Sequence, residues 1–278
     1  MPELPEVERG RRLARAVARG RTIVKVTCAR DAIVFEGVGA ARFHRALVGR
    51  LVVEVRRRGK HLWLELDRRP WPCVHFGMTG ALRTPGDTPL RLASSPRQDD
   101  SGWPPRFVKL HLVFDDGGEL AVVNKRRFGR IRLRDDPARE PPISELGFDP
   151  LLDLPSPQAF AELLAGRTPM IKALLMDQRF AAGVGNWIAD EVLYQARIDP
   201  RRPAGSLSRE EAGRLRSKLK QIIERAVAVE AIKARLPRTW LFHRRWHRDG
   251  AERTARGERI ERFTLAGRTT AWVPQVQR

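Results

Sequence analysis

Met1-Pro-Glu-Leu-Pro-Glu-Val-Glu8 opens the chain, packing two prolines and three carboxylates into eight residues. Pro5 falls where the first turn of a helix tolerates a missing N–H. Val7, Leu13, Ala14 and Val17 follow as an apolar face, which predicts a helix over residues 5–19. Removal of Met1 would leave Pro2 as a secondary amine with Glu3 directly after it. Such an amine can attack a sugar or carbonyl carbon and form a cationic iminium. An α-amino group also loses its proton near pH 7.7–8.0, roughly, against about 10.4 for lysine. Glu3 and Glu6 are candidate acid–base partners for that step. Many chains begin Met-Pro for no chemical reason, so these residues alone leave both readings open.

Outward from that helix the periodicity changes to two. Residues 22–26, 51–55, 60–66 and 108–114 alternate as strands, and Asp115-Asp-Gly-Gly118 reads as a hairpin turn into residues 119–123. Residues 84–106, rich in Pro, Ser and Asp, read as a long polar loop. A segment with six prolines, residues 134–157, separates this β-rich part from a helical one. Thr168-Pro169 reads as an N-cap and first helical residue, opening a helix at Met170. A second helix is expected over 186–197. Ser208-Arg-Glu-Glu211 is a capping box that opens a long helix to about residue 229. The last part, 238–278, has strand-like pieces at 260–264 and 270–273. The expected architecture is α+β, with a β-sandwich and flanking helices over 1–134 and a linker over 135–157. A helical domain over 158–237 and a β-hairpin over 238–278 complete it.

Fifty-three basic residues against 33 acidic give a net charge of +20, which points to a polyanion such as DNA. An Arg-rich solubilising surface is the plain alternative. Cys28 and Cys73, both in apolar strand-like contexts, read as buried thiols and suit a reducing compartment. No apolar run approaches the roughly 20 residues needed to span a membrane. No signal core follows the N-terminus, so an intracellular location, cytoplasm or nucleoid, is expected.

Several blocks recur in an order that resembles the formamidopyrimidine-DNA glycosylase / endonuclease VIII family. They are the opening octet, Arg57-Arg-Gly-Lys-His61, His75-Phe-Gly-Met-Thr-Gly80, Asn124-Lys-Arg-Arg-Phe-Gly129, Gly183-Val-Gly-Asn-Trp-Ile-Ala-Asp-Glu191 and Gly267-Arg-Thr-Thr270. The resemblance spans essentially the whole chain. It implies a helix–two-turns–helix element around Gly183–Glu191, a finger hairpin in the tail, and duplex DNA bound in a cleft between the domains. Pro2, Glu3 and Lys60 are implied as catalytic, with Glu6 and Glu191 supporting. Lys60, Asn186 and Arg268 match the residues that hold phosphate beside the target sugar, and Arg127 is expected on DNA as well. Met78, Arg126 and Phe128 match the residues that fill the void when a nucleotide is flipped out. By pattern alone Lys60 could be a rim lysine, since it shares parity with Leu62, Leu64 and Leu66. Met78 and Phe128 could equally be core.

The tail departs from most bacterial relatives, which place four zinc-binding cysteines there. This chain has no cysteine after Cys73. His243 and His247 are spaced as metal ligands can be, but no thiolate completes a set. The tail instead resembles the zinc-less branch that includes plant and fungal enzymes. Packing of Trp240, Phe242, Phe263 and Trp272 is expected to hold the finger, with no metal or cofactor. The stretch 230–239 is shorter than the loop that closes over 8-oxoguanine in bacterial relatives, which implies a preference for formamidopyrimidines and hydantoins. The resulting expectation is a monomeric, bifunctional DNA glycosylase and lyase acting on damaged double-stranded DNA. An endonuclease VIII-like pyrimidine enzyme, a non-catalytic DNA-binding protein and an N-terminal-proline tautomerase are the rivals.

Overall fold

The computed structural model describes residues 2–88, 102–246 and 252–278. Its contacts divide the chain into two compact units, meeting between Glu145 and Leu146. The expected loop 84–106 falls largely outside the described residues.

The first unit opens with helix α1 (Leu4–Ala18), whose apolar face buries Leu4, Val7, Ala14 and Ala18. Eight strands and a second helix follow, in the order β1 (Ile23–Cys28), α2 (Ala40–Leu47), β2 (Val52–Arg58), β3 (His61–Leu66), β4 (Trp71–His75), β5 (Ala81–Arg83), β6 (Val108–Phe114), β7 (Glu119–Val123) and β8 (Arg130–Arg134). They form two four-stranded antiparallel sheets, β1-β6-β7-β5 and β2-β3-β4-β8. Alternation explains the pairing. Leu110, Leu112 and Phe114 of one sheet and Leu62, Leu64 and Leu66 of the other are all buried in one apolar core, with Phe43 and Leu47 of α2. This is the sandwich the strand pattern predicts. Lys60 lies outside its expected strand. Arg58 pairs with His61, so Gly59-Lys60 is the two-residue connection of the β2–β3 hairpin, with Gly59 at φ +55°. Cys73 is buried as expected, whereas Cys28 is only partly covered. Burial pushes the thiols up to about 11 and about 12, so neither is a ready thiolate.

The second unit carries α3 (Pro157–Leu164), α4 (Ile171–Met176), α5 (Asn186–Ala196) and α6 (Arg209–Ala228), then the hairpin β9 (Glu261–Leu265) and β10 (Arg268–Trp272). The capping box forms at α6, where Ser208 Oγ accepts from Glu211 N and Glu211 Oε2 accepts from Ser208 N. The expected cap at Thr168-Pro169 does not form. Met170 is the N-cap of α4, without a side-chain cap. The Ile171 amide, which a Thr168 cap would have held, donates instead to Arg202 O at 2.8 Å, and Met170 bridges to Pro203. Tertiary pairing therefore takes the backbone that a local cap would have used. No helix among the described residues is long and apolar enough to cross a membrane.

Candidate active site and nucleic-acid interface

Glu3 is the N-cap of α1 and makes a reciprocal box with Glu6. Its side chain accepts from the Glu6 amide, while Glu6 Oε2 accepts from Glu3 N at 3.0 Å. Pro2, Glu3 and Leu4 are all buried, so the start of the helix is a sheltered corner. Desolvation, and then the Glu3 charge, push the Glu6 carboxyl up to about 7. A carboxyl there can give or take a proton near neutrality.

One turn on, Glu8 ties this helix to the β2–β3 hairpin. Its carboxylate meets Arg57 Nε at 3.2 Å and Arg11 Nη2 at 2.8 Å. Arg57 in turn donates to Gly59 O at 3.0 Å, which fixes the connection carrying Lys60. Lys60 is 7% exposed, far more covered than a rim lysine would be. Beside it the His61 and His75 rings lie 4.7 Å apart. Burial, followed by the neighbouring positive charges, holds them down at about 3 and about 4, so both imidazoles are neutral. His75 Nδ1 accepts from Gly77 N at 3.3 Å.

The loops carrying Met78 and Phe128 are clamped face to face. A Cβ on Gly77 would lie 2.3 Å from the Phe128 carbonyl carbon, and one on Gly129 would lie 2.1 Å from Asn124 Nδ2. Asn124 Nδ2 donates to Phe76 O at 2.9 Å, closing the pair. Phe128 is 49% exposed, with the Arg126 guanidinium 5.0 Å from its ring centre. It is therefore not core, while Met78 is half-buried. Arg127 departs from its neighbours. At φ +58° it turns back to grip buried Asp31 at 3.1 Å, alongside Lys109 at 2.8 Å. Despite some desolvation, these cations hold the Asp31 carboxyl down at about 2.

In the second unit, Gly183-Val-Gly185 turns the chain into α5, held by Gln178, whose Oε1 accepts from Gly183 N at 3.0 Å. Asn186 is the first residue of α5, and its Nδ2 donates to Thr269 O of β10 at 3.0 Å. Arg268 leads β10 from the exposed turn Ala266-Gly267, both at positive φ. Thus Asn186 and the strand of Arg268 are brought together. Glu191 is fully buried; it accepts from Phe242 N and Gln195 Nε2, each at 2.8 Å. Desolvation pushes it up to about 7. It acts as a brace within this unit.

Aromatic packing in the finger is present, but it is not alone. Phe263 and Trp272 meet edge to face at 5.9 Å under Arg201, and Phe242 meets Trp187 at 5.1 Å. A buried ionic centre adds to it. Asp190 pairs with Lys172 Nζ and with Arg245 Nη2, each at 2.6 Å. Sequence reasoning passed over all three. Their one signal was a lysine and an aspartate at apolar helix positions, 171–176 and 187–194. His247 lies outside the described residues, among which no cluster of three or more His, Cys, Asp or Glu could hold a metal ion.

This arrangement has known counterparts. Residues 1–131 match the formamidopyrimidine-DNA glycosylase N-terminal domain, and residues 146–237 match the formamidopyrimidine-DNA glycosylase H2TH domain. A formamidopyrimidine-DNA glycosylase of Arabidopsis thaliana is 43% identical over 278 residues, all of this chain and 71% of the relative. One from Heliobacterium modesticaldum is 34% identical over the full length of both. Among solved structures, the Lactococcus lactis enzyme bound non-covalently to DNA containing an abasic site superposes with a TM-score of 0.80. It is 25% identical and covers 99% of each chain. MutM in complex with DNA containing carbocyclic 8-oxo-G gives 0.79 at 26%, covering 100% of each chain. The fold and site define a DNA glycosylase of base-excision repair. The chain belongs to the formamidopyrimidine-DNA glycosylase family.

Proposed function

We propose that this chain excises oxidised bases from double-stranded DNA as a monomer and then cuts the strand, using Pro2 as the nucleophile. With Met1 removed, the Pro2 nitrogen attacks C1′ of the flipped deoxyribose. The C1′–N bond to the base breaks as the new C–N bond forms. Glu3 protonates the ring oxygen as the sugar opens, leaving an iminium, and β- then δ-elimination release the two phosphates. Glu6 is placed to relay protons to Glu3 near neutral pH. Lys60, Asn186 and Arg268 grip phosphates and so orient C1′, the contribution that makes such attack feasible. Met78, Arg126 and Phe128 enter the emptied stack, where apolar contact and a guanidinium offset the lost base pair. Arg127 supports that loop from Asp31 and meets DNA only at its edge. Formamidopyrimidines and hydantoins are the favoured lesions, with 8-oxoguanine a weak substrate.

The observation that carries this reading is the sheltered corner of Pro2, Glu3 and Glu6, with a carboxyl raised to about 7. It is tested by incubating untagged protein with abasic duplex, reducing with borohydride, and looking for a covalent adduct. Wild type should trap and Pro2→Gly should not. Undiminished trapping by the variant would remove Pro2 from the mechanism. DNA binding without any adduct would leave a non-catalytic binding protein.

A further inference from the structure

Charges sealed from water need a reason, because each costs several kcal/mol unless its partners are in place. Asp190, Lys172 and Arg245 are 1%, 0% and 6% exposed. They are distant in sequence and lie on α5, on α4 and in the 240–246 segment. Asp190 and Lys172 both reach β10, while Arg245 backs Asp190. Ala271 N donates to Asp190 Oδ2 at 3.1 Å, and Lys172 Nζ donates to Thr270 Oγ1 at 2.7 Å. Asn186 Nδ2 takes the next group along, Thr269 O, at 3.0 Å. Three successive residues of one strand are thus pinned by α4 and α5. The residue that follows outward is Arg268, which is exposed.

We propose that Asp190 is the positioning residue of this hairpin. Its carboxylate, clamped between Lys172 and Arg245, holds β10 so that Arg268 and Asn186 present their donors to DNA phosphate in a preset geometry. A hairpin left to fray would have to be ordered at binding, and that ordering would be subtracted from affinity. The chain has no cysteine after Cys73, so thiolate–metal bonds cannot supply the cross-link. The ionic centre ties the hairpin to the helices instead. The proposal rests on the reading of Arg268 as a phosphate contact.

The test uses the full chain as wild type, Asp190→Asn, Arg268→Ala and the double variant. Hydrogen exchange over residues 261–272 is read without DNA. Affinity for a duplex with a tetrahydrofuran abasic analogue is read across a salt series. Asp190→Asn should lose hairpin protection and bind about tenfold more weakly. Its salt slope should fall by about one, the signature of one lost phosphate contact. Adding Arg268→Ala should then cost little more, since both changes remove the same contact. KM should rise while the single-turnover rate on saturating DNA is nearly kept, a split that general unfolding would not give. Unchanged protection overturns the proposal, and so do additive losses in the double variant. Thr270→Val, which removes only the acceptor of Lys172, gives the same reading with a smaller loss should Asp190→Asn fold poorly. If Arg268→Ala binds like wild type, the phosphate-grip reading fails and the proposal falls with it. Hydrogen exchange on the free protein tells that failure from a failure of Asp190 to hold the strand.

Discussion

The loops carrying Met78 and Phe128 and the hairpin carrying Arg268 both present side chains to solvent, yet their anchors have opposite chemistry. The loops are held by close backbone approach: Gly77 and Gly129 admit neighbours where a Cβ would overlap them, and Asn124 closes the pair. Buried charges hold the hairpin, with Asp190 shared by Lys172, Arg245 and the Ala271 amide. A steric anchor tolerates no added atom but is indifferent to ionisation. An ionic anchor tolerates small changes of shape and fails when one partner is lost, because the remainder stays buried and unbalanced.

The largest effect should follow from breaking the steric anchor. Gly77→Ala adds a Cβ 2.3 Å from the Phe128 carbonyl carbon, at a residue whose φ is +63°. Neither backbone can retreat without undoing the Phe76–Asn124 closure. We expect a loss of about 4 kcal/mol or more in the stability of the first unit, measured by urea unfolding. A change below about 1 kcal/mol, the scale of an ordinary surface substitution, would show the loops to be loosely apposed. Breaking the ionic anchor should rank second. Lys172→Met keeps the volume and removes the charge, while Asp190 retains Arg245 and the Ala271 amide. The expected loss is about 3 kcal/mol, at the lower end for a broken buried pair. A variant as stable as wild type would mean that Arg245 alone balances the carboxylate.

The same contrast separates what the sequence made legible from what it hid. Ser208 and Glu211 are three residues apart and form the box their spacing predicts. Strand alternation marked β1, β2, β3, β6 and β7 but not β4, β5 and β8, and the glycines of 183–185 marked a turn that does form. Local rules suffice there because the partners are neighbours. Thr168-Pro169 carried the same kind of local signal and failed, since Arg202 O took the Ile171 amide that the cap would have held. Lys172 and Asp190 gave only a charge among apolar helix positions, and Arg245 gave no signal. Their spacing follows no helical or strand period, and only the tertiary fold brings 2.6 Å contacts out of it. Arg127 shows a related limit. Its pairing with Asp31, far upstream, has no local signal in the arginine-rich turn.

The smallest effect concerns the brace next to the ionic centre, and it sharpens the comparison through pH. Glu191 is fully buried on α5 and holds the Phe242 amide, with its carboxyl raised from 4.5 to about 7 by desolvation. A raised carboxyl binds its proton more tightly folded than unfolded. Between about pH 4.5 and 7 the native state therefore carries the extra proton, and stability falls as pH rises through that window. Glu6 contributes with the same sign, raised to about 7 in the first unit. Only a difference between proteins isolates Glu191. Glu191→Gln keeps an acceptor for Phe242 N but cannot ionise, so its urea midpoint should decline less between pH 5 and pH 8 than that of wild type. The gap should approach roughly 2 kcal/mol, somewhat below what the full shift implies at about 1.4 kcal/mol per pH unit. Parallel declines would show that Arg245 and the two hydrogen bonds keep Glu191 ionised throughout, making the charged network of the second unit one carboxylate larger than the geometry around Asp190 alone.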